Sequence, residues 1–184
     1  MGAGHVDQAA ATLTRSLAAA TLPDYEWMTN MADKTERYEE LVGAIEAIVA
    51  GETDGITVMS SVACEVYHAF PYFNWVGFYR RVDERTLKVG PYQGTHGCLT
   101  IDIGEGVCGA CVRAAAVQVE NDVRLVPAHI ACSEETKAEL VLPIVDSTGY
   151  VVAVMDIDST EAGVFDDQDV HYLERICRLI PTAT

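Results

Sequence analysis

The sequence predicts an α+β domain built on an antiparallel sheet. Three observations carry that reading: two amphipathic helical runs stand together near the start, strand-like runs follow one another with turn signals between them, and a capped helix ends the chain. Grouped helices and strands, rather than strict β-α-β alternation, place helices against an antiparallel sheet. At 184 residues the chain suits one domain with one good core. We expect a variable N-terminal arm over residues 1–33 and the domain itself over residues 34–184.

Each element follows from its pattern. Ala9–Ala20 is Ala-rich and could form a loose helix within the arm, where Arg15 is the one basic residue, too few for a transit peptide. Over residues 34–50, Tyr38, Leu41, Val42, Ile45, Ile48 and Val49 recur at helical spacing until Gly51. A second helix is expected from about Thr53 to Phe70, with Ile56, Met59, Val62, Val66, Tyr67 and Phe70 inward, and Pro71 stops it. The run Asn74–Val82 is aromatic and β-branched, and Asp83-Glu-Arg85 turns it into a strand over Thr86–Gly90. Cys98–Ile101 reads as a short third strand and Ala110–Ala116 as a turn of helix, after which Val117-Gln-Val119 leads into a loop. The stretch Glu120–Ala138 reads as a long loop, and loops of that length are usually functional. Leu140–Val145 and Tyr150–Asp156 form a hairpin about Asp146-Ser-Thr-Gly149, and Asp166 caps the last helix.

Composition removes several function classes. There are 28 acidic against 12 basic side chains, a formal net charge of −16, which suits neither a nucleic-acid backbone nor an anionic membrane surface. No run of 18 apolar residues is present, so no membrane-spanning helix is expected. With no signal peptide in evidence, six cysteines in a chain this long read better as a reactive site than as a disulfide framework, and a cytoplasmic location is expected. Cys64 and Cys177 sit in apolar helical patterns and are expected to be buried fillers.

The chemistry gathers between Gly90 and Ser159. Cys98, Cys108 and Cys132 stand among glycines and two histidines, His96 and His129. Reactive thiols need partial exposure and a positive setting. Cys108 precedes Gly109 and an expected helix start, whose dipole would lower its pKa. Cys132 follows His129 by three residues, close enough for a proton or a positive charge. Cys108-Gly-Ala-Cys111 is formally a C-x-x-C, but neither a β-α-β setting nor a second such pair accompanies it, so neither a thioredoxin-like pair nor a metal is expected. Asp156 and Asp158 alternate on a strand and share a face, where a ligand's ammonium group would offset their burial, and Glu139 on the hairpin partner could join them. Trp75 and Tyr79 share a face of the first strand, as core or as an aromatic wall.

Six motifs in register, namely Asn74–Tyr79, Gly90–Gly94, Gly104–Gly109, His129–Cys132, Glu139–Pro143 and Asp156–Ser159, resemble those of the free methionine-R-sulfoxide reductases, which are single GAF domains. The resemblance spans about residues 36–180. It implies a GAF-like fold, a central antiparallel six-stranded sheet flanked by helices. It further implies that Cys132 attacks the sulfoxide sulfur, that Cys98 resolves the sulfenic acid as a disulfide, and that Cys108 is a third pocket thiol whose role could trade with Cys132. Glu139, Asp156 and Asp158 would hold the substrate ammonium and supply a proton, with Trp75 and Tyr79 around the S-methyl group. The implied partners are free methionine sulfoxide and a thioredoxin-like dithiol, no cofactor is implied, and the helical arm could support a homodimer. The chain departs from the family pattern at Ser133, Ala138 and Cys111, which bears on loop polarity and on disulfide exchange. The competing function is a GAF sensor that binds a small effector, such as a cyclic nucleotide, without catalysis.

Overall fold

The computed structural model describes residues 31–126 and 133–182, with side chains from residue 34 onward. Residues 1–30 of the N-terminal arm, His129 and Cys132 therefore lie outside the described residues, and the arm's last three residues already belong to the first helix. Chain contacts separate Met1–Lys34 from Thr35–Thr184. The described elements are α1 (Met31–Ile48), α2 (Gly55–Ala69), β1 (Phe73–Arg81), β2 (Thr86–Gly94), β3 (Thr100–Asp102), α3 (Gly106–Ala114), β4 (Gln118–Glu120), a 3₁₀ turn at Val123–Leu125, β5 (Ala138–Val145), β6 (Val151–Ser159) and α4 (Asp167–Cys177). The strands form one six-stranded antiparallel sheet in the order β3-β2-β1-β6-β5-β4.

Period-two alternation sorts the two faces of that sheet. Val76, Phe78, Met155 and Ile157 are fully buried on one face, and the Cys177 thiol of α4 reaches the Met155 sulfur at 3.8 Å. The opposite face carries Trp75, Tyr79 and Val154 into a second apolar cluster with Ile101, Ile103, Val107, Cys108, Cys111 and Val112, so α3 covers that side.

Several boundaries differ from the sequence reading. β2 runs on to Gly94, so the Gly90–Gly94 stretch is strand rather than loop. Pro91 is tolerated there because β3 pairs only with Thr86–Lys88, leaving this end of β2 as an edge. Cys98 precedes β3 instead of opening it, and α3 begins at Gly106, which puts Cys108 in its first turn. β6 continues to Ser159, so Asp156 and Asp158 lie within the strand and not at its end. Ile48 and Ile56 face solvent, and Cys64 is only half-buried, beside His68.

The last helix is tied to the first by a buried polar knot. Asp166 and Asp169 form a reciprocal capping box at the start of α4. Asp169, wholly buried, also accepts 2.6 Å from the Tyr38 hydroxyl on α1. Burial, then the Asp169 charge, hold the Tyr38 phenol well above its usual pKa, so it stays a donor. Asp169→Ala is expected to lose about 2–4 kcal/mol of stability, the sum of the lost returning half of the capping box and an orphaned buried hydroxyl. Urea denaturation measures it, and a loss within about 0.5 kcal/mol, the range of ordinary surface substitutions, would refute it.

Candidate active site

Sheet register assembles the site. Across β5, β6 and β1, Glu139 stands opposite Asp158, and Asp158 opposite Trp75. One step along, Val141 pairs with Asp156, and Asp156 with Gly77. Next come Pro143, Val154 and Tyr79. Side chains in these rows share one face, and α3 closes over it. The resulting pocket is lined by Trp75, Tyr79, Cys108, Glu139, Asp156 and Asp158, together with loop residues between Thr95 and Gly97 and Thr136. All five expected substrate-binding residues and Cys108 thus meet in one place. The void is about 30 Å³, room for one or two water-sized occupants.

The aromatic wall is larger than the sequence suggested. Trp75 stacks on Tyr79 with ring centroids 5.6 Å apart, and on Tyr92, beyond the strand end expected at Gly90, at 5.4 Å. Trp75 Nε1 donates to the Thr95 carbonyl at 3.2 Å. Gly77 makes the arrangement possible, because a Cβ there would come 2.4 Å from Tyr92 Cβ and 2.5 Å from the Trp75 ring. Gly97 serves the same end from the far side, where a Cβ would sit 2.9 Å from the ring and 3.0 Å from the Tyr79 hydroxyl. A glycine between two same-face aromatics was the available signal in the sequence.

The floor of the pocket is acidic and buried. Asp156 is 6% exposed, Glu139 7% and Cys108 3%, and one ligand atom from each lies within 4.8 Å of the other two. Burial first, then Glu139 and Asp158, push the Asp156 carboxyl well above the usual range. Burial first, then Asp158 and Glu120, do the same to Glu139. Like charges this close cannot all ionise cheaply, so the acid pair retains a proton at pH values where free carboxyls have lost theirs. Asp156 shares a hydrogen bond with the Cys108 thiol, while its Oδ1 has no partner among the described residues.

That setting reverses one expectation. Cys108 does lie in the first turn of α3, but its thiol is pushed well up, by burial first and then by Asp156, Glu139 and Asp158. A helix-terminal dipole, worth at most about 2 kcal/mol, loses to desolvation beside three carboxyls. Cys111, one helical turn on, is wholly buried and points its sulfur at the Val141 carbonyl at 3.7 Å. Its thiol is pushed up to about 12 by burial and then by Asp156. The C-x-x-C is therefore two buried free thiols on one helix, both with raised pKa. Cys98, in contrast, is half-buried at the rim of the cluster and is disulfide-bonded, whereas Cys64, Cys108, Cys111 and Cys177 are free thiols. Tyr79 shares a hydrogen bond with the Cys98 backbone, linking the aromatic wall to the thiol loop.

Sequence reading missed Thr136, whose buried Oγ1 also lacks a partner among the described residues. A lone threonine in a long loop carries no periodic signal.

The six-stranded antiparallel sheet with an acidic, aromatic-walled pocket on one face defines a GAF domain, and the family model described as GAF domain matches residues 56–183. Among known proteins, the chain is 36% identical over 154 residues to the free methionine-R-sulfoxide reductase of Saccharomyces cerevisiae, covering 80% of this chain and 86% of that one. It is 38% identical over 144 residues to the protein of the same name from Escherichia coli, covering 78% and 86%. The structure of free methionine-R-sulfoxide reductase from Neisseria meningitidis in complex with its substrate superposes with a TM-score of 0.76 at 36% identity, covering 83% of this chain and 90% of that one. This chain belongs to the free methionine-R-sulfoxide reductase family of GAF-domain proteins.

Proposed function

We propose that this chain reduces free L-methionine (R)-S-oxide to L-methionine with electrons from its own thiols. The observation that carries the reading is the buried, proton-retaining pair Glu139 and Asp156, set within one pocket against an aromatic wall, with the oxidised Cys98 packed against the same apolar cluster. A sulfoxide oxygen leaves only when protonated, and an acid that still holds its proton near neutral pH is the group for that task.

Cys132 attacks the sulfoxide sulfur while the acid pair delivers a proton to its oxygen. The S–O bond breaks, the oxygen passes to Cys132 as a sulfenic acid, and methionine departs. The Cys98 thiol then displaces that oxygen as water and closes a disulfide, so the two electrons gained by the substrate come from two thiols. A thioredoxin-like dithiol reopens the bridge by exchange. Cys108 is the weaker candidate for attack, since its neighbours keep it a thiol. It serves instead as the hydrogen-bond partner of Asp156. Asp158 receives the substrate ammonium, and Trp75 with Tyr79 encloses the S-methyl group. Residues 34–184 are the catalytic domain and residues 1–33 an arm through which a homodimer forms, in the cytoplasm where dithiol reductants regenerate it.

Turnover of the free R epimer driven by thioredoxin or dithiothreitol tests the reading. Cys132→Ser is expected to be inactive, and Cys98→Ser to give one burst of methionine followed by slow cycling. Full activity of Cys132→Ser would move the attack to another thiol, and binding of the sulfoxide without any reduction would refute the reading.

A further inference from the structure

The acid pair and the Cys108 thiol form a donor set that the reduction does not fully use. One sulfur and two carboxylates, all buried, lie within 4.8 Å of one another, the one such group of three donors among the described residues. Two further observations point to a ligand there. Asp156 Oδ1, on a side chain 6% exposed, and Thr136 Oγ1, on one 8% exposed, both line the pocket and lack hydrogen-bond partners among the described residues. Buried oxygens of this kind are normally satisfied, and a bound ion or water is one of the few things that accounts for an exception.

We propose that this pocket is also a site for a thiophilic divalent cation of the zinc class, held by Cys108, Glu139 and Asp156, and that the ion excludes the sulfoxide. The donor chemistry selects the ion. A sulfur ligand favours zinc or cadmium over magnesium and calcium, which ask for about six or more oxygens. Zinc bonds of about 2.3 Å to sulfur and 2.1 Å to oxygen set tetrahedral neighbours roughly 3.5 Å apart, so donors within 4.8 Å of one another close in by at most about 1.3 Å. A void of about 30 Å³ has room for the ion with one water as fourth ligand. The protons of the cluster leave to solvent as the ion enters. This site is distinct from a zinc assembled on Cys108-Gly-Ala-Cys111, since Cys111 points to the Val141 carbonyl instead.

The exclusion of substrate rests on the reductase reading, whereas the metal site does not, and the experiment separates them. The oxidised protein, with Cys98 kept in its disulfide, is titrated with cadmium, read by sulfur-to-cadmium charge-transfer absorption, and with zinc, read by calorimetry. One ion per chain is expected, with the absorption band present. Cys108→Ser should abolish the band and weaken zinc by more than about tenfold, because loss of even an outer-shell partner costs 10–100-fold. Asp156→Asn should weaken zinc while keeping the band, and Cys64→Ser should change neither. Absence of binding, a band that survives Cys108→Ser, or zinc affinity indifferent to both pocket substitutions overturns the site. Free methionine sulfoxide should displace cadmium from the oxidised protein, where no turnover can occur. Cadmium retained against saturating sulfoxide overturns the exclusion, and a protein that binds metal as described yet never reduces the sulfoxide leaves the site standing and refutes the reductase reading.

Discussion

Asp156→Asn is expected to slow turnover of the free sulfoxide by about 10²–10⁴-fold, the usual contribution of a positioned general acid, and at the same time to stabilise the protein at neutral pH. The two effects share one cause. The carboxyl is 6% exposed, faces Glu139 and Asp158, and has its pKa pushed well up by burial and by those neighbours. Below the ordinary aspartate range, about pH 4, folded and unfolded chains both hold the proton and the group contributes fully. As pH rises, the unfolded chain releases the proton while the folded chain keeps it, so stability falls until the folded pKa is passed. Each unit between the two pKa values is worth about 1.4 kcal/mol. Asparagine has no such proton, so the variant should gain on the parent steadily above about pH 4. Losing the Cys108 contact offsets the comparison by a constant, which leaves the widening gap as the readout. Urea midpoints across pH measure it, and a gap that stays flat would show that Asp156 ionises normally in the fold.

Trp75→Ala should have the largest effect on stability, about 3–5 kcal/mol, as for other buried aromatics truncated to alanine. The indole is 4% exposed and stacks on both Tyr79 and Tyr92. Gly77 and Gly97 are held to a hydrogen atom so that the ring fits between them. Against a typical total of 5–15 kcal/mol, such a loss is severe. Trp75→Phe, which keeps a ring in place, should fold and report on recognition, with a raised KM for the sulfoxide and a smaller change in kcat. Thermal denaturation and steady-state kinetics together check the pair. A Trp75→Ala protein as stable as its parent would mean that the ring contributes no packing, and an unchanged KM in Trp75→Phe would remove it from the substrate wall.

Much of the fold could be read from pattern because the signals are local. The apolar recurrence at Tyr38, Leu41, Val42 and Ile45, the stop at Pro71, the turn at Asp83–Arg85 and the Asp166 cap each involve a few neighbouring residues, and all four marked real elements. The same logic failed where tertiary context rules. Gly90–Gly94 carries turn-rich composition yet lies in a strand, since pairing with β1 overrides local preference there. The expected early end of β6 failed for a related reason. The strand runs on to Ser159 and carries Asp156 and Asp158 into a cavity that β5, β1 and α3 together create.

Taken alone, the order of residues determined the class of fold, the alternation that sets Asp156 with Asp158 and Trp75 with Tyr79, and, through family resemblance, which thiols to consider. Only the tertiary structure decided their chemistry. Whether Cys108 is a thiolate or a thiol depends on how many carboxyls share its cavity and how much water reaches it, and both are set by strands and a helix far apart in the chain. Electrostatic energy depends on distance and surroundings through space, and neither is written in the spacing of residues along a sequence.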